Sequence, residues 1–96
     1  MTSKDIHRGF HYEKRKAKEH GGRHIGGPGA PDYQRGDTFG EVKGRVSKVT
    51  KPELQRLIRD KGVREIDSKA GFTQPAIEYW DRWQPGVRLI RRGRNV

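Results

Sequence analysis

Two strand-forming runs, residues 31–35 and 38–46, meet across Gly36-Asp37, which leaves only two residues to reverse the chain. A two-residue reversal with glycine first suits a type II′ hairpin turn, and the turn sets the register of the strands around it. Residue 35 then faces 38, 34 faces 39, 33 faces 40, and 32 faces 41. Alternation along the second run puts Phe39, Glu41, Lys43 and Arg45 on one face, with Asp32 opposite Glu41 on that face. Directly opposed Cβ atoms lie about 5 Å apart, so two carboxylates so placed repel unless a cation joins them.

The rest of the chain is punctuated by caps. Ser3 can open a helix to about Glu19, ended by Gly21-Gly22. Its stripe carries Ile6, Phe10 and Ala17, with Glu13 on the same stripe, facing inward or at its margin. Arg23-His24-Ile25 is a short extended piece, and 26–31 is a Gly/Pro loop. Thr50-Lys51-Pro52-Glu53 has the form of a capping box, with Val49 and Leu54 as a hydrophobic staple. Leu54, Leu57 and Ile58 form the buried stripe of that helix, and Gly62 ends it. Residues 63–68 form a strand. Thr73 caps a third helix lined by Ala76, Ile77, Trp80 and Trp83, the tryptophans serving as core, a dimer contact or a stacking platform. Residues 87–92 form a last strand, followed by a basic tail over 91–96 that is flexible or grips nucleic acid. The order α-β-β-β-α-β-α-β predicts one α/β domain over 1–96, a mixed central sheet flanked by helices.

Composition decides the kind of partner. The formal charge is +10 on 96 residues, and no cysteine is present for disulfides, thiolate zinc sites or a thiol nucleophile. Leu, Ile, Val and Phe total 18 residues, close to the ~20% below which a highly charged chain is suspected of disorder. A thin core favours help from a partner, and a homodimer is expected. A basic surface at this density points to DNA or RNA. No apolar run spans a membrane and no secretory h-region begins the chain, so a cytoplasmic protein is expected.

Asp32 and Glu41 supply oxygens of the kind Mg²⁺ or Mn²⁺ requires, and Lys43 a cation for charge developing on a phosphate. An Asp–Lys–Glu ladder on a solvated sheet face is the plainer alternative. Pro31-Asp32 followed by Glu41-Val42-Lys43 resembles the motif of the PD-(D/E)XK nuclease superfamily. Arg8-Gly9 with Glu13 is similar to the first-helix element of archaeal Holliday-junction resolvases. Pro52 and Gln55, the stretch 66–76 and Gly86-Val87-Arg88-Leu89-Ile90 resemble Mrr-type restriction endonuclease domains. The stretch from Glu41 to the next helix is shorter than in those relatives.

The resemblance implies an αβββαβ restriction-endonuclease-like core and a metal-dependent endonuclease acting on DNA. It implies Asp32, Glu41, the Val42 carbonyl and Glu13 as metal ligands, Lys43 as the group that orients water or stabilises the transition state, and Gln55 as a positioning residue. Arg8, Arg23, His24, Arg45, Lys48 and Lys51 are expected to contact the nucleic-acid backbone. A nuclease toxin acting on DNA or tRNA, and a non-catalytic nucleic-acid-binding protein, are the competing functions. His7 and His11 share a helical face that either binds zinc or is simply polar.

Overall fold

The computed structural model describes residues 13–25 and 30–96. The predicted helix start with Ser3, Ile6 and Phe10, the residues His7, Arg8 and His11, and loop residues 26–29 lie outside that description.

Residues 13–19 are helical (α1). There follow β1 (Arg23–His24), β2 (Tyr33–Arg35), β3 (Thr38–Lys43), α2 (Lys51–Lys61), β4 (Glu65–Ser68), α3 (Gln74–Trp83), β5 (Arg88–Arg91) and β6 (Arg94–Asn95). The six strands form one sheet in sequence order. β1, β2 and β3 pair antiparallel, β3, β4 and β5 pair parallel, and β6 returns antiparallel to β5. The predicted mixed α/β sheet is therefore present, with one strand more than expected.

The hairpin forms in the predicted register, Arg35↔Thr38 through Tyr33↔Gly40. Gly36 has φ 60 and Asp37 is not in the left-handed region, as a II′ turn requires. Two boundaries differ from the sequence reading. β2 begins at Tyr33 rather than Pro31, because proline has no N–H for a further rung. β3 ends at Lys43 rather than Val46: after the Lys69 N–H to Lys43 carbonyl bond (2.9 Å), pairing with the β4 segment resumes only at Val49, which bridges to Phe72. Beyond Lys43 the backbone bends to reach α2, leaving Val46 exposed.

The C-terminal tail is also different. Arg92 (φ 52) and Gly93 (φ 76) are both left-handed, the geometry of a type I′ turn, so residues 91–94 reverse the chain and β6 pairs back onto β5. The Val96 N–H donates to the Leu89 carbonyl (2.9 Å), extending the hairpin to the last residue.

Caps behave unevenly. Gly62 closes α2 in the left-handed conformation (φ 66), and the Thr73 hydroxyl accepts from the Ala76 N–H (3.4 Å) to open α3. At α2 the Thr50 hydroxyl makes no cap bond, so the capping box is only half formed. The Glu53 carboxylate is gripped first by the Arg45 guanidinium and only secondarily receives the Thr50 N–H; together these hold it below the usual carboxylate range.

The two faces of the sheet are filled differently. Val49, Leu54, Leu57, Val63, Ile66, Phe72, Ala76, Val87 and Leu89 make an apolar cluster with α2 and α3. Against α1 the cluster, among the described residues, is Ala17, Tyr33 and Val42, with Glu65 and Asp67 buried nearby. Gly40 is required there: a Cβ on it would lie 2.0 Å from Cζ of the Tyr33 ring crossing over it. Trp80 is half-buried and its indole N–H donates to the Val87 carbonyl, whereas Trp83 is 65% exposed and does not join the predicted stripe.

Candidate functional site

β3 delivers Glu41 and Lys43 to the face that α2 and α3 cover, because residues two apart on a strand share a side. The Glu41 carboxylate is 1% exposed. Lys43 Nζ lies 2.9 Å from its Oε2. Lys61, in the last turn of α2, approaches the same carboxylate at 3.3 and 3.5 Å. A carboxylate this deep is costly to bury without partners, and two ammonium groups pair with it.

Asp32 joins the site by a route the hairpin register did not foresee. It does not extend the ladder to face Glu41 as a Cα partner. Its own N–H donates to the Gly40 carbonyl (2.9 Å), and its carboxylate accepts the Val42 N–H (2.8 Å). The side chain thus occupies the place of the next rung. Burial first, then the negative charges of Glu41 and Glu13, push the Asp32 carboxyl up from 3.8 to about 6, against the opposing pull of the Val42 N–H and Lys43. Glu13 reaches this end of the sheet from α1, and His24 Nε2 of β1 stands 3.4 Å from its Oε2.

The structure therefore gathers Glu13 from α1, His24 from β1, Glu41 and Lys43 from β3, and Asp32 from the residue before β2 into one electrostatic neighbourhood. Gln55 does not enter it. It is half-buried on α2, and among the described residues no hydrogen bond joins it to Lys43 or Glu41. The second lysine at Glu41 is Lys61, which sequence reasoning missed. The signal was available: 54, 57 and 61 continue one helical stripe, and a lysine ending an apolar stripe must find a counter-charge. Val42 contributes its N–H to Asp32 and pairs with Asp67 in the ladder. Arg45 is exposed and bound to Glu53, while Arg23, Lys48 and Lys51 are exposed on the surface.

Among the described residues, no three or more His, Asp or Glu side chains form a ready-made metal cage. Mg²⁺ is commonly held by one or two carboxylates, with waters and substrate phosphates completing the octahedron. Asp32 and Glu41 fit that donor set; burial first, and then the neighbouring Glu41 charge, raises Asp32, and that second contribution is a negative potential that would draw in a hard cation. Beside Lys43 and Lys61, a cavity of about 270 Å³ opens against α2, also lined by Glu53, Arg56, Leu57 and Asp60. Lys43 thus borders open space while holding Glu41.

Compared with known proteins, the chain matches no family model, no curated protein and no solved structure. No helix among the described residues is long and apolar enough to cross a membrane.

Proposed function

We propose that this chain is a metal-dependent endonuclease of PD-(D/E)XK type that hydrolyses phosphodiester bonds in DNA. The observation that carries the reading is the convergence of Asp32, Glu41 and Lys43 at one point of the sheet, with Lys43 2.9 Å from the Glu41 carboxylate. The order of strands and the antiparallel-then-parallel pairing support it. Asp32 and Glu41 would hold Mg²⁺ or Mn²⁺, with Glu13 nearby. When bound, the cation would lower the pKa of a water and offset negative charge on the phosphate. Lys43 orients the attacking water or donates to the phosphate oxygens as charge builds. Lys61 remains as a partner for the Glu41 carboxylate if Lys43 turns toward substrate. In this reading two copies act together to cut two strands, with exposed Trp83 at the contact.

A non-catalytic nucleic-acid-binding protein is the second reading. The engagement of Glu41 by two lysines favours it, because a cation would have to compete with both for that carboxylate.

The deciding experiment incubates the purified chain with labelled four-way junction, duplex DNA, single-stranded DNA and tRNA, in Mg²⁺, Mn²⁺ or EDTA, beside Lys43→Ala. Cutting that requires metal and disappears in the variant is expected. Binding without cutting on every substrate moves the assignment to the second reading. Cutting that survives in Lys43→Ala removes the site assignment.

A further inference from the structure

A second cavity, of about 700 Å³, lies under the C-terminal hairpin, away from the carboxylates. Four of the residues around it are cations: Lys48 from the loop after β3, and Arg91, Arg92 and Arg94 from the hairpin. Phe72 and Ile77 supply an apolar floor, and no Asp or Glu side chain is among the lining residues. Glu19, an acid near the hairpin, is engaged by Lys16 at 3.2 Å and does not line the cavity. The candidate functional site is the reverse case, where every lysine described meets a carboxylate.

Three features shape this cavity. Gly71 (φ +90) lets the Arg91 side chain lie flat over its backbone, since a Cβ there would stand only 3.0 Å from Arg91 Cδ. Arg92 adopts a left-handed conformation, which costs a non-glycine residue about 1 kcal/mol, although asparagine or glycine would fill a type I′ turn more easily. Third, the cavity sits at the carboxyl ends of the parallel strands β4 and β5.

The register fixes its relation to the carboxylates. Lys43 is the Cα partner of Ser68, and Arg91 follows Ile90, the partner of Asp67. Lys43, Ser68 and Arg91 therefore fall in one row across β3, β4 and β5. At about 4.8 Å between strands, the Lys43 and Arg91 backbones are roughly 10 Å apart. Both side chains stand on the same face, Lys43 sharing it with Glu41 and Arg91 with Leu89.

We infer that this cavity is a second anchoring site for the nucleic-acid backbone. It takes a phosphate neighbouring the one at Lys43, on the same strand, through Arg91, Arg94 and Lys48. The inference deepens the nuclease proposal by naming where the substrate strand continues, and it rests on that reading for the identity of the nearer phosphate. Guanidinium groups suit the task because their planar donors pair two-pronged with phosphate oxygens.

The test is binding of a fluorescein-labelled DNA duplex to the full chain in EDTA, by anisotropy over a series of salt concentrations. An Arg91→Gln/Arg94→Gln double variant should weaken binding about tenfold and lower the log–log salt slope by about 2. Lys48→Gln, in an exposed loop and outside the sheet, should weaken it about threefold with an unchanged circular dichroism spectrum. Arg59→Gln/Arg82→Gln, removing the same charge elsewhere, should stay within about twofold. Equal losses in the two double variants, or no binding by the unaltered chain, overturn the inference. If binding is lost in the cavity variants but no chain cuts DNA in Mg²⁺ or Mn²⁺, the nuclease reading fails and the anchor stands. If the unaltered chain cuts and the cavity variants bind normally, the anchor fails and the nuclease reading stands.

Discussion

One face of the sheet is held by oil and the other by charge. Against α2 and α3, Leu54, Leu57, Ile66, Phe72 and Leu89 exclude water and need only volume to match. Against α1, Tyr33 donates its hydroxyl to Glu65 Oε1 (3.0 Å), and Glu65 is flanked by Arg35 and Arg88. Asp67 takes His20 at 2.8 Å and Lys16 at 3.4 Å, and the His20 ring stacks on Tyr33. Burial and the Glu65 charge drive the Tyr33 phenol well above its ordinary range, keeping it a donor. Asp67 Oδ1 is buried with no hydrogen-bond partner among the described residues. The difference teaches that, among the described residues, the large apolar cluster lies on the α2/α3 face and only a small one on the other. The second face is closed by pairs whose geometry must be right, since an uncompensated buried charge costs several kcal/mol.

The largest effect expected is on the charged face. Gly40→Ala drives a methyl into the Tyr33 ring and should cost about 3 kcal/mol or more in chemical denaturation. A cost under 1 kcal/mol would mean that face is loosely packed. On the apolar face, Leu54→Ala should cost about 3 kcal/mol, with the same loss in low and high salt. Glu65→Gln keeps an acceptor for the Tyr33 hydroxyl and removes only the charge. Its cost should be about 1–2 kcal/mol and should shrink in high salt, because Arg35 and Arg88 are partly exposed. A salt-independent loss would erase the distinction between the faces.

The smallest expected effect has the opposite sign. The Asp32 carboxyl binds its proton more tightly in the fold, at about 6, than in an unfolded chain, at 3.8. Its contribution to stability is thus fully present below pH 3.8 and lost as the pH rises through 6. In EDTA, Asp32→Asn should stabilise the chain by about 1 kcal/mol at pH 7.5 and by nothing at pH 3.5. Equal effects at both pH values would show that Asp32 is ionised as easily in the fold as outside it.

How far the sequence went follows the same division. Periodicity found α2, α3 and the apolar cluster, since Leu54, Leu57, Phe72, Ala76 and Leu89 sit where helical or strand spacing puts them. The turn chemistry of Gly36 predicted the hairpin register at the pairs 35/38, 34/39 and 33/40, and missed only in extending it to 32/41. Hydropathy alone makes Glu65 and Asp67 solvent residues, because alternating acids ordinarily mark a wet face. Among the described residues, those of the first helix and its end that reach this face include Lys16, Ala17 and His20, of which only Ala17 is apolar. At the candidate site, Asp32, Glu41, Lys43 and Glu13 were found by spacing and motif. Lys61 was not, because its contact with Glu41 joins residues twenty apart through the docking of α2. The C-terminal hairpin was missed because Arg-Gly is a poor turn signal beside Asn-Gly.

The outermost strands, β1 and β6, are two residues long, and each carries an arginine. A sheet border that short offers an incoming chain too few open backbone groups to add a strand in register, and the arginines of like copies repel. Self-association by sheet extension is therefore blocked at both ends, and the chain should remain free of fibrils at concentrations where a longer, uncharged border would template them.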